Sequence, residues 1–262
     1  MPLPKALLCM LEKNPPAQVR EELQLRSVGF AAATVPWRQV AAMRGGWMQL
    51  LPILDDPAVQ AWVFVGAAED FNAEVLSRLG LLTLGLTRPA PLLTACVLTD
   101  DGPEPELAAF LGDVRVFRKD APFAAKLMAA RLSARPLPPR PFHLAAHLDP
   151  LIGLWLEVGP PHGTEWQGFM AGVTGAGVTA FGVGPRGALP QKCTLRHPLC
   201  GIQGDWGGRP FSACAARNVL DATTACYLRV DGEPGAVFVA PYPEDSDEND
   251  AADVCPEYLE LV

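Results

Sequence analysis

Cysteine and histidine residues in the second half of the chain have types and spacing that could bind a metal. A Cys-x3-His-x2-Cys segment and one further cysteine supply four candidate ligands for tetrahedral zinc: Cys193, His197, Cys200 and Cys214. This spacing differs from the Cys-x2-Cys pairs of common zinc motifs. His143 and His147, with Asp149 nearby, could share one helix face and form a second metal site. Because neither set has standard spacing, no metal and no other cofactor is predicted.

Candidate catalytic groups are few. No Gly-x-Ser-x-Gly segment marks a nucleophilic serine. The acidic residues Glu74 and Asp100-Asp101 are the candidate catalysts for a nucleotide-using enzyme. The sequence favours a protein that acts by binding, and such an enzyme is the alternative prediction.

The first half alternates short apolar runs with segments of helical period. Strands are predicted for residues 6–11, 29–35, 59–65, 92–98 and 114–117. Helices are predicted from Pro15 and over residues 37–51, 72–79 and 121–135, with Gly45-Gly46 as a break.

Strands separated by helical segments pair in parallel through right-handed crossovers, and nearly continuous apolar strands are buried on both faces. The pattern therefore predicts an α/β flavodoxin-like doubly wound parallel sheet over residues 1–135. Ligands of such sheets bind beyond the carboxyl ends of the strands. The residues that follow each strand are therefore the candidate site residues of this half.

Several of these residues stand in segments that resemble response-regulator receiver domains. The segments are Leu11-Glu-Lys-Asn-Pro-Pro-Ala-Gln-Val-Arg-Glu-Glu-Leu, Ser27-Val-Gly-Phe-Ala-Ala-Ala-Thr, Val97-Leu-Thr99, and Lys119 followed by Pro122-Phe123. The resemblance implies that Glu12 belongs to a magnesium-binding acidic pair and that Thr99 and Lys119 contact a phosphoryl group. Lys13 replaces the second acid of that pair, and Gly66 stands in place of the phosphoacceptor aspartate. The resemblance thus implies a degenerate receiver that serves packing or dimerisation without phosphotransfer.

A TIR-type domain is the alternative resemblance for the first half. It implies that Glu74, on the helix after the third strand, is the catalytic acid of a nucleotide-using enzyme. The aromatic and cysteine surroundings typical of that family are missing from the sequence.

A proline-rich linker over residues 131–141 precedes a second half with shorter spacing. Strands are predicted for residues 154–158, 166–173, 177–183, 211–217, 225–230 and 236–239, with glycine turns between them. This pattern indicates an antiparallel barrel or sandwich, and we predict an antiparallel β-barrel domain over residues 136–243.

This second half resembles a PilZ domain, a family that binds cyclic di-GMP. The resemblance lies in the Arg131-x3-Arg135 segment and in the turn Val-Thr-Gly-Ala-Gly that ends at Gly177. It implies a ligand site formed by Arg131, Arg135, Arg140, Thr174 and Gly177. Gly172 occupies the place of the family's acidic or amide residue, so this motif is incomplete.

Net charge is −8 and is carried by the end of the chain. Residues 1–137 contain 14 acidic and 14 basic side chains, and residues 138–262 contain 15 and 7. An acidic tail is therefore predicted for residues 244–262. Because no Lys/Arg surface is concentrated anywhere, nucleic acid is not an expected partner. No apolar run is long enough for a membrane span, and residues 1–16 do not resemble a secretion signal, so we expect a cytoplasmic protein. The degenerate receiver implied by the resemblance would bind a protein partner or form a homodimer.

Overall fold

The computed structural model describes residues 3–12, 14–88, 92–108, 111, 114–131, 140–206, 208–242 and 257–261. For Pro15, Arg131 and Trp206 only the backbone is described. The chain divides into two compact units, Met1–Pro138 and Pro139–Val262. Within the described ranges, none of the helices is both long and apolar enough to cross a membrane.

The first unit alternates strands and helices along the chain. Its strands are β1 (Lys5–Met10), β2 (Ala31–Pro36), β3 (Val59–Gly66), β4 (Leu93–Leu98) and β5 (Arg115–Phe117). Its α-helices are α1 (Pro15–Ser27), α2 (Trp37–Ala42), α3 (Leu51–Leu54), α4 (Ala73–Gly85) and α5 (Phe123–Arg131). The predicted helix over residues 37–51 is divided into α2 and a 3₁₀ turn, because Gly45 takes the left-handed conformation between them.

The five strands form one parallel sheet in the order β2-β1-β3-β4-β5. The predicted parallel sheet with crossover helices is confirmed. The central strand β3 is apolar at nearly every position and is buried over almost its whole length, as expected when helices cover both faces. Val63 and Val65 pack in one core with side chains of α1 and α5. Phe64, which alternates with them, contacts Trp37 of α2 on the opposite face.

Asparagine caps fix where the helices at the carboxyl edge of this sheet begin. The Asn14 side chain accepts from the Ala17 N–H at the start of α1, and Asn72 accepts from Val75 at the start of α4. Since α1 follows β1 and α4 follows β3, both caps lie beside the edge where parallel sheets bind ligands.

The second unit consists of strands only, among its described residues. They are β6 (His143–Asp149), β7 (Gly153–Gly159), β8 (Trp166–Thr174), β9 (Gly177–Pro185), β10 (Leu199–Trp206), β11 (Arg209–Leu220), β12 (Thr224–Asp231), β13 (Ala236–Ala240) and β14 (Glu257–Glu260). All pairs are antiparallel, which confirms the predicted antiparallel class.

The strands of the second unit form two sheets, and the described residues do not close into the predicted barrel. A five-stranded sheet has the order β10-β11-β8-β13-β14, and a four-stranded sheet has the order β6-β7-β12-β9. The turn at Gly175 carries the chain from one sheet to the other, so the consecutive strands β8 and β9 pair with different neighbours. Cys214 and Cys226, both buried, contact each other from β11 and β12.

The last residues of the predicted acidic tail form a strand instead. Glu257–Glu260 pairs with β13, and Leu259 and Leu261 are buried. The Leu261 N–H donates to the Gly235 carbonyl at 2.8 Å. The two leucines alternate with exposed residues and give β14 one apolar face. The prediction of a tail considered only the number of acidic residues in this segment and therefore missed the strand.

Candidate functional site

Two of the receiver-like positions meet at the carboxyl edge of the parallel sheet. The Thr99 hydroxyl, just after β4, donates to Glu12 Oε1 at 3.1 Å, just after β1. The Asn14 amide donates to the same oxygen at 3.1 Å. The Glu12 carboxylate is thus held by neighbouring side chains of its own unit. Lys13 lies outside the described residues.

The position of the missing phosphoacceptor is closed by packing. A Cβ atom at Gly66 would lie 2.9 Å from Leu11 Cβ and 3.1 Å from Asp70 Cβ. Such contacts are shorter than nearly all real Cβ contacts, so an aspartate at this position would require a backbone shift. The glycine is therefore a packing requirement at the end of β3.

Lys119, which the resemblance matches to a receiver lysine, forms an ion pair with a carboxylate. Lys119 Nζ lies 2.7 Å from Asp101 Oδ2. This hydrogen bond and charge pair raise the pKa of Lys119 and lower the pKa of Asp101. The neighbouring Asp100 accepts from the Ala68 backbone N–H at 3.0 Å. Both acids of the candidate catalytic pair therefore have structural partners.

Arg38 lines two clefts at the same edge. Its guanidinium donates to the Leu11 carbonyl and to Asp70 Oδ1, each at 2.9 Å. One cleft, of about 420 Å³, includes Glu12, Asn14, Gln18 and Thr34 in its lining. The other, of about 380 Å³, is lined partly by Trp37 and Glu74.

Glu74, the alternative catalytic acid, forms an ion pair within its own helix. Its carboxylate lies 2.6 Å from Arg78 Nη1, four residues later. The side chain of Glu74 is about half exposed, as a solvated acid in the first turn of a helix would be.

The predicted cyclic di-GMP residues are only partly described. Thr174 and Gly177 flank the turn between β8 and β9, but Thr174 is 4% exposed. Arg140 donates to the Leu144 carbonyl at 2.8 Å, and burial lowers its pKa. Arg131 ends α5 without a described side chain, and Arg135 lies outside the described residues. The contacts of Thr174 and Arg140 give this ligand no support.

Neither candidate metal-ligand set is brought together in the described residues. The described part of the chain contains no group of three or more His, Cys, Asp or Glu side chains placed to hold a metal ion. In the candidate zinc set, Cys193 and Cys200 are exposed whereas Cys214 is buried in the five-stranded sheet. His143 and His147 lie on the strand β6 and not on a helix, because a spacing of four also places two side chains on one face of a strand.

Both histidines instead bind a buried glutamate that the sequence analysis missed. His143 Nε2 lies 2.8 Å from Glu157 Oε1, and His147 Nε2 lies 2.8 Å from Oε2. The Gly187 backbone N–H donates to both oxygens at 3.1 Å. Glu157 is 1% exposed. Burial alone would raise its pKa, but the hydrogen bonds from the two histidines and Gly187 outweigh it and hold the pKa far below the ordinary value.

Three glycines explain how this carboxylate is buried on an outer face of the four-stranded sheet. A Cβ atom at Gly159 would lie 2.7 Å from Arg186 Nη2, and Cβ atoms at Gly182 and Gly184 would overlap Cys193 and Pro190. The segment that follows β9 therefore lies directly on the sheet. It covers Glu157 and the adjacent Tyr227, which is fully buried.

The cluster determines which nitrogen of each imidazole faces the carboxylate as a hydrogen-bond donor. A carboxylate can only accept hydrogen bonds, so both Nε2 atoms carry hydrogen and each Nδ1 is left to accept a bond or a proton. The register explains the convergence, since Ala145 lies opposite Glu157 and the histidines are two residues to either side. A histidine pair at i and i+4 beside a strand with one internal acid is the sequence signal that could have found it.

Comparison of the chain with known protein families, curated proteins and solved structures finds no match.

Proposed function

We propose that this protein is a non-enzymatic regulatory protein that acts by binding a ligand or a protein partner. The observation that carries this proposal is the packing at Gly66, where Leu11 and Asp70 fill the space that a phosphoacceptor side chain would need. A receiver-like unit with this packing can present a binding surface but has no group to accept a phosphoryl transfer.

The order of the first sheet supports a receiver-like first unit. The order β2-β1-β3-β4-β5 is that of flavodoxin-like doubly wound sheets. The hydrogen bond between Glu12 and Thr99 brings together two positions that the resemblance matches to a receiver site. In the second unit, a PilZ-like domain with cyclic di-GMP as its ligand is the corresponding proposal, and the antiparallel strands are its only structural support.

Phosphodonor treatment tests the first unit. The full chain is incubated with acetyl phosphate and Mg²⁺, and intact mass is measured. We expect no phosphorylated species. A stoichiometric phosphoprotein that disappears in Glu12→Gln would overturn the proposal, because a working receiver needs that acid for its metal.

Calorimetric titration with cyclic di-GMP tests the ligand. Binding that weakens in Arg135→Ala, but not in the control Arg209→Ala on β11, would identify a nucleotide sensor. Absence of heat removes this nucleotide and leaves binding of a protein partner as the function.

A nucleotide-using enzyme is the second candidate, because Glu74 lines a cleft of about 380 Å³ at the ligand-binding edge of the sheet. Its test is consumption of NAD by the full chain and by Glu74→Gln. Turnover that the substitution abolishes would establish the enzyme and refute the binding proposal. Equal, background-level signals in both proteins would remove this candidate.

A further inference from the structure

The outer edge of β10 ends the five-stranded sheet without a further strand in the described part of the chain. Its regular part runs from Ile202 to Trp206, after an irregularity between Leu199 and Ile202. Residues 203–205 are exposed. An edge strand presents backbone donors and acceptors that can pair with another chain.

Pro210 determines which groups of β10 point outward. Proline has no N–H, and the Pro210 carbonyl accepts from Gly175 on the side of β8. The Asp205–Pro210 pair is therefore a non-hydrogen-bonded pair of the β10–β11 ladder, and alternation makes Gln203–Ser212 another. The N–H and C=O groups of Gln203 and Asp205 consequently point away from β11. Within the described residues, no backbone group bonds to them.

The two edges of this sheet are protected differently. β14, at the other edge, is four residues long and bears Glu257 and Glu260. Short, charged strands are a common protection against pairing. β10 has eight residues, no lysine and no proline, and its single charged residue is Asp205. Asp205 also accepts from the Gly208 N–H in the turn, so its side chain is engaged there.

The chain segment that contains β10 is rich in basic residues, although the chain has a net charge of −8. Residues 186–217 contain five Lys/Arg side chains and one acid. Lys192 and Arg196 are exposed and precede β10, and Arg196 is held beside β11 by a bond from the Arg217 N–H to its carbonyl. Leu199, at the start of β10, is 40% exposed. This combination favours an extended partner with acidic and apolar side chains in alternation.

We propose that β10 is a docking strand for an acidic, extended segment of a protein partner, which adds to the five-stranded sheet as an antiparallel strand. The inference rests on the proposed binding function and names its partner class. Main-chain hydrogen bonds to Gln203 and Asp205 provide the pairing, and Lys192 and Arg196 select the acidic side chains.

Fluorescence anisotropy tests this proposal with the full chain and a labelled peptide of alternating valine and glutamate. We expect binding that weakens as salt rises, and no binding of the matching valine–lysine peptide. Gln203→Pro removes one outward N–H without touching the ladder to β11 and should weaken binding about tenfold or more. Gln203→Ala keeps the N–H and is the matched control. The double variant Lys192→Gln/Arg196→Gln should remove most of the salt dependence.

Two further measurements keep the result interpretable. Circular dichroism reports whether Gln203→Pro folds, and a peptide N-methylated at alternate residues blocks strand pairing without any change in the protein. Equal affinity for the methylated peptide, or for the lysine peptide, would overturn the proposal. Dimerisation of the chain that Gln203→Pro abolishes would also overturn it, because a second copy would then occupy β10. If the peptide does not bind, and the chain shows neither phosphorylation nor NAD turnover, the docking strand is wrong but the proposed binding function still stands.

Discussion

Replacement of Glu157 by glutamine removes the charge at the centre of the histidine cluster. The carboxylate accepts from three groups, His143, His147 and Gly187. A hydrogen bond to a charged group contributes about 1.5–3 kcal/mol. Glutamine keeps one acceptor oxygen and turns an amide donor toward one of the imidazole N–H groups. The imidazoles are 32% and 22% exposed, so water can compensate in part. We therefore expect a loss of about 2 kcal/mol in the free energy of unfolding.

The effect has a defined pH dependence. The pKa of Glu157 in the folded state is far below its ordinary value of 4.5. A depressed pKa stabilises the fold fully above the unfolded-state pKa, and this contribution is lost as the pH falls below about 4.5. The difference between the wild type and Glu157→Gln should therefore be largest near neutral pH and should shrink under acid conditions.

Urea unfolding at neutral and acid pH measures this difference, and hydrogen exchange of β7 and β12 locates it in the second unit. Asp231→Asn, at an exposed acid of β12, is the control and should stay within about 0.5 kcal/mol of the wild type. A Glu157→Gln protein as stable as this control at neutral pH would refute the argument, since the buried carboxylate would then contribute nothing.

Three further predictions concern packing and accessibility. Gly66→Ala should destabilise the first unit by about 1–3 kcal/mol through its contact with Leu11. Gly177→Ala should not destabilise the second unit, because its Cβ atom would meet only the Asp231 carbonyl oxygen at 4.0 Å; thermal unfolding compares the two variants. Arg88→Met leaves two carbonyls without their guanidinium donor and should cost about 1–3 kcal/mol in urea unfolding. Alkylation with mass-spectrometric mapping should modify the exposed Cys193 and Cys200 in the folded protein. It should spare the buried thiols of Cys9, Cys96 and Cys226, because burial raises their pKa. The pKa is raised to about 12 in Cys9 and Cys96. Equal melting temperatures of the two glycine variants would contradict the packing argument at Gly66. A free energy of unfolding unchanged in Arg88→Met would contradict the argument on its two carbonyls, and alkylation of Cys9 in the folded protein would contradict the burial of that thiol.

The sequence predicts the strands that are formed by clear apolar runs and misses β6, β10 and β14, which have none. β3 and β4 are nearly continuous apolar runs, and the structure places both within two residues of the predicted bounds. β10 has no such run, because its side chains are largely exposed and two of its residues are glycine. β6 was missed because His143 and His147 have a spacing that helices and strands share.

The candidate sites depend on register, which composition and spacing do not contain. Glu157 meets its two histidines only because Ala145 lies opposite it on β6. The closed position at Gly66 likewise depends on the side chain of Leu11, which reaches it from a neighbouring strand end. Spacing along the chain gives residue types, whereas pairing between strands decides which of them meet.

The strand pairing around Glu157 also sets an order of folding during synthesis. The sheet of the first unit has all its strands once residue 117 has been made. In the second unit, β7 pairs with the preceding strand β6, but its other neighbour, β12, is complete only at Asp231. Long-range pairing of this kind is slow, and exposed strands wait unpaired until their partners emerge. The sheet around Glu157 can therefore be completed only after the first unit has all the strands that it needs to fold.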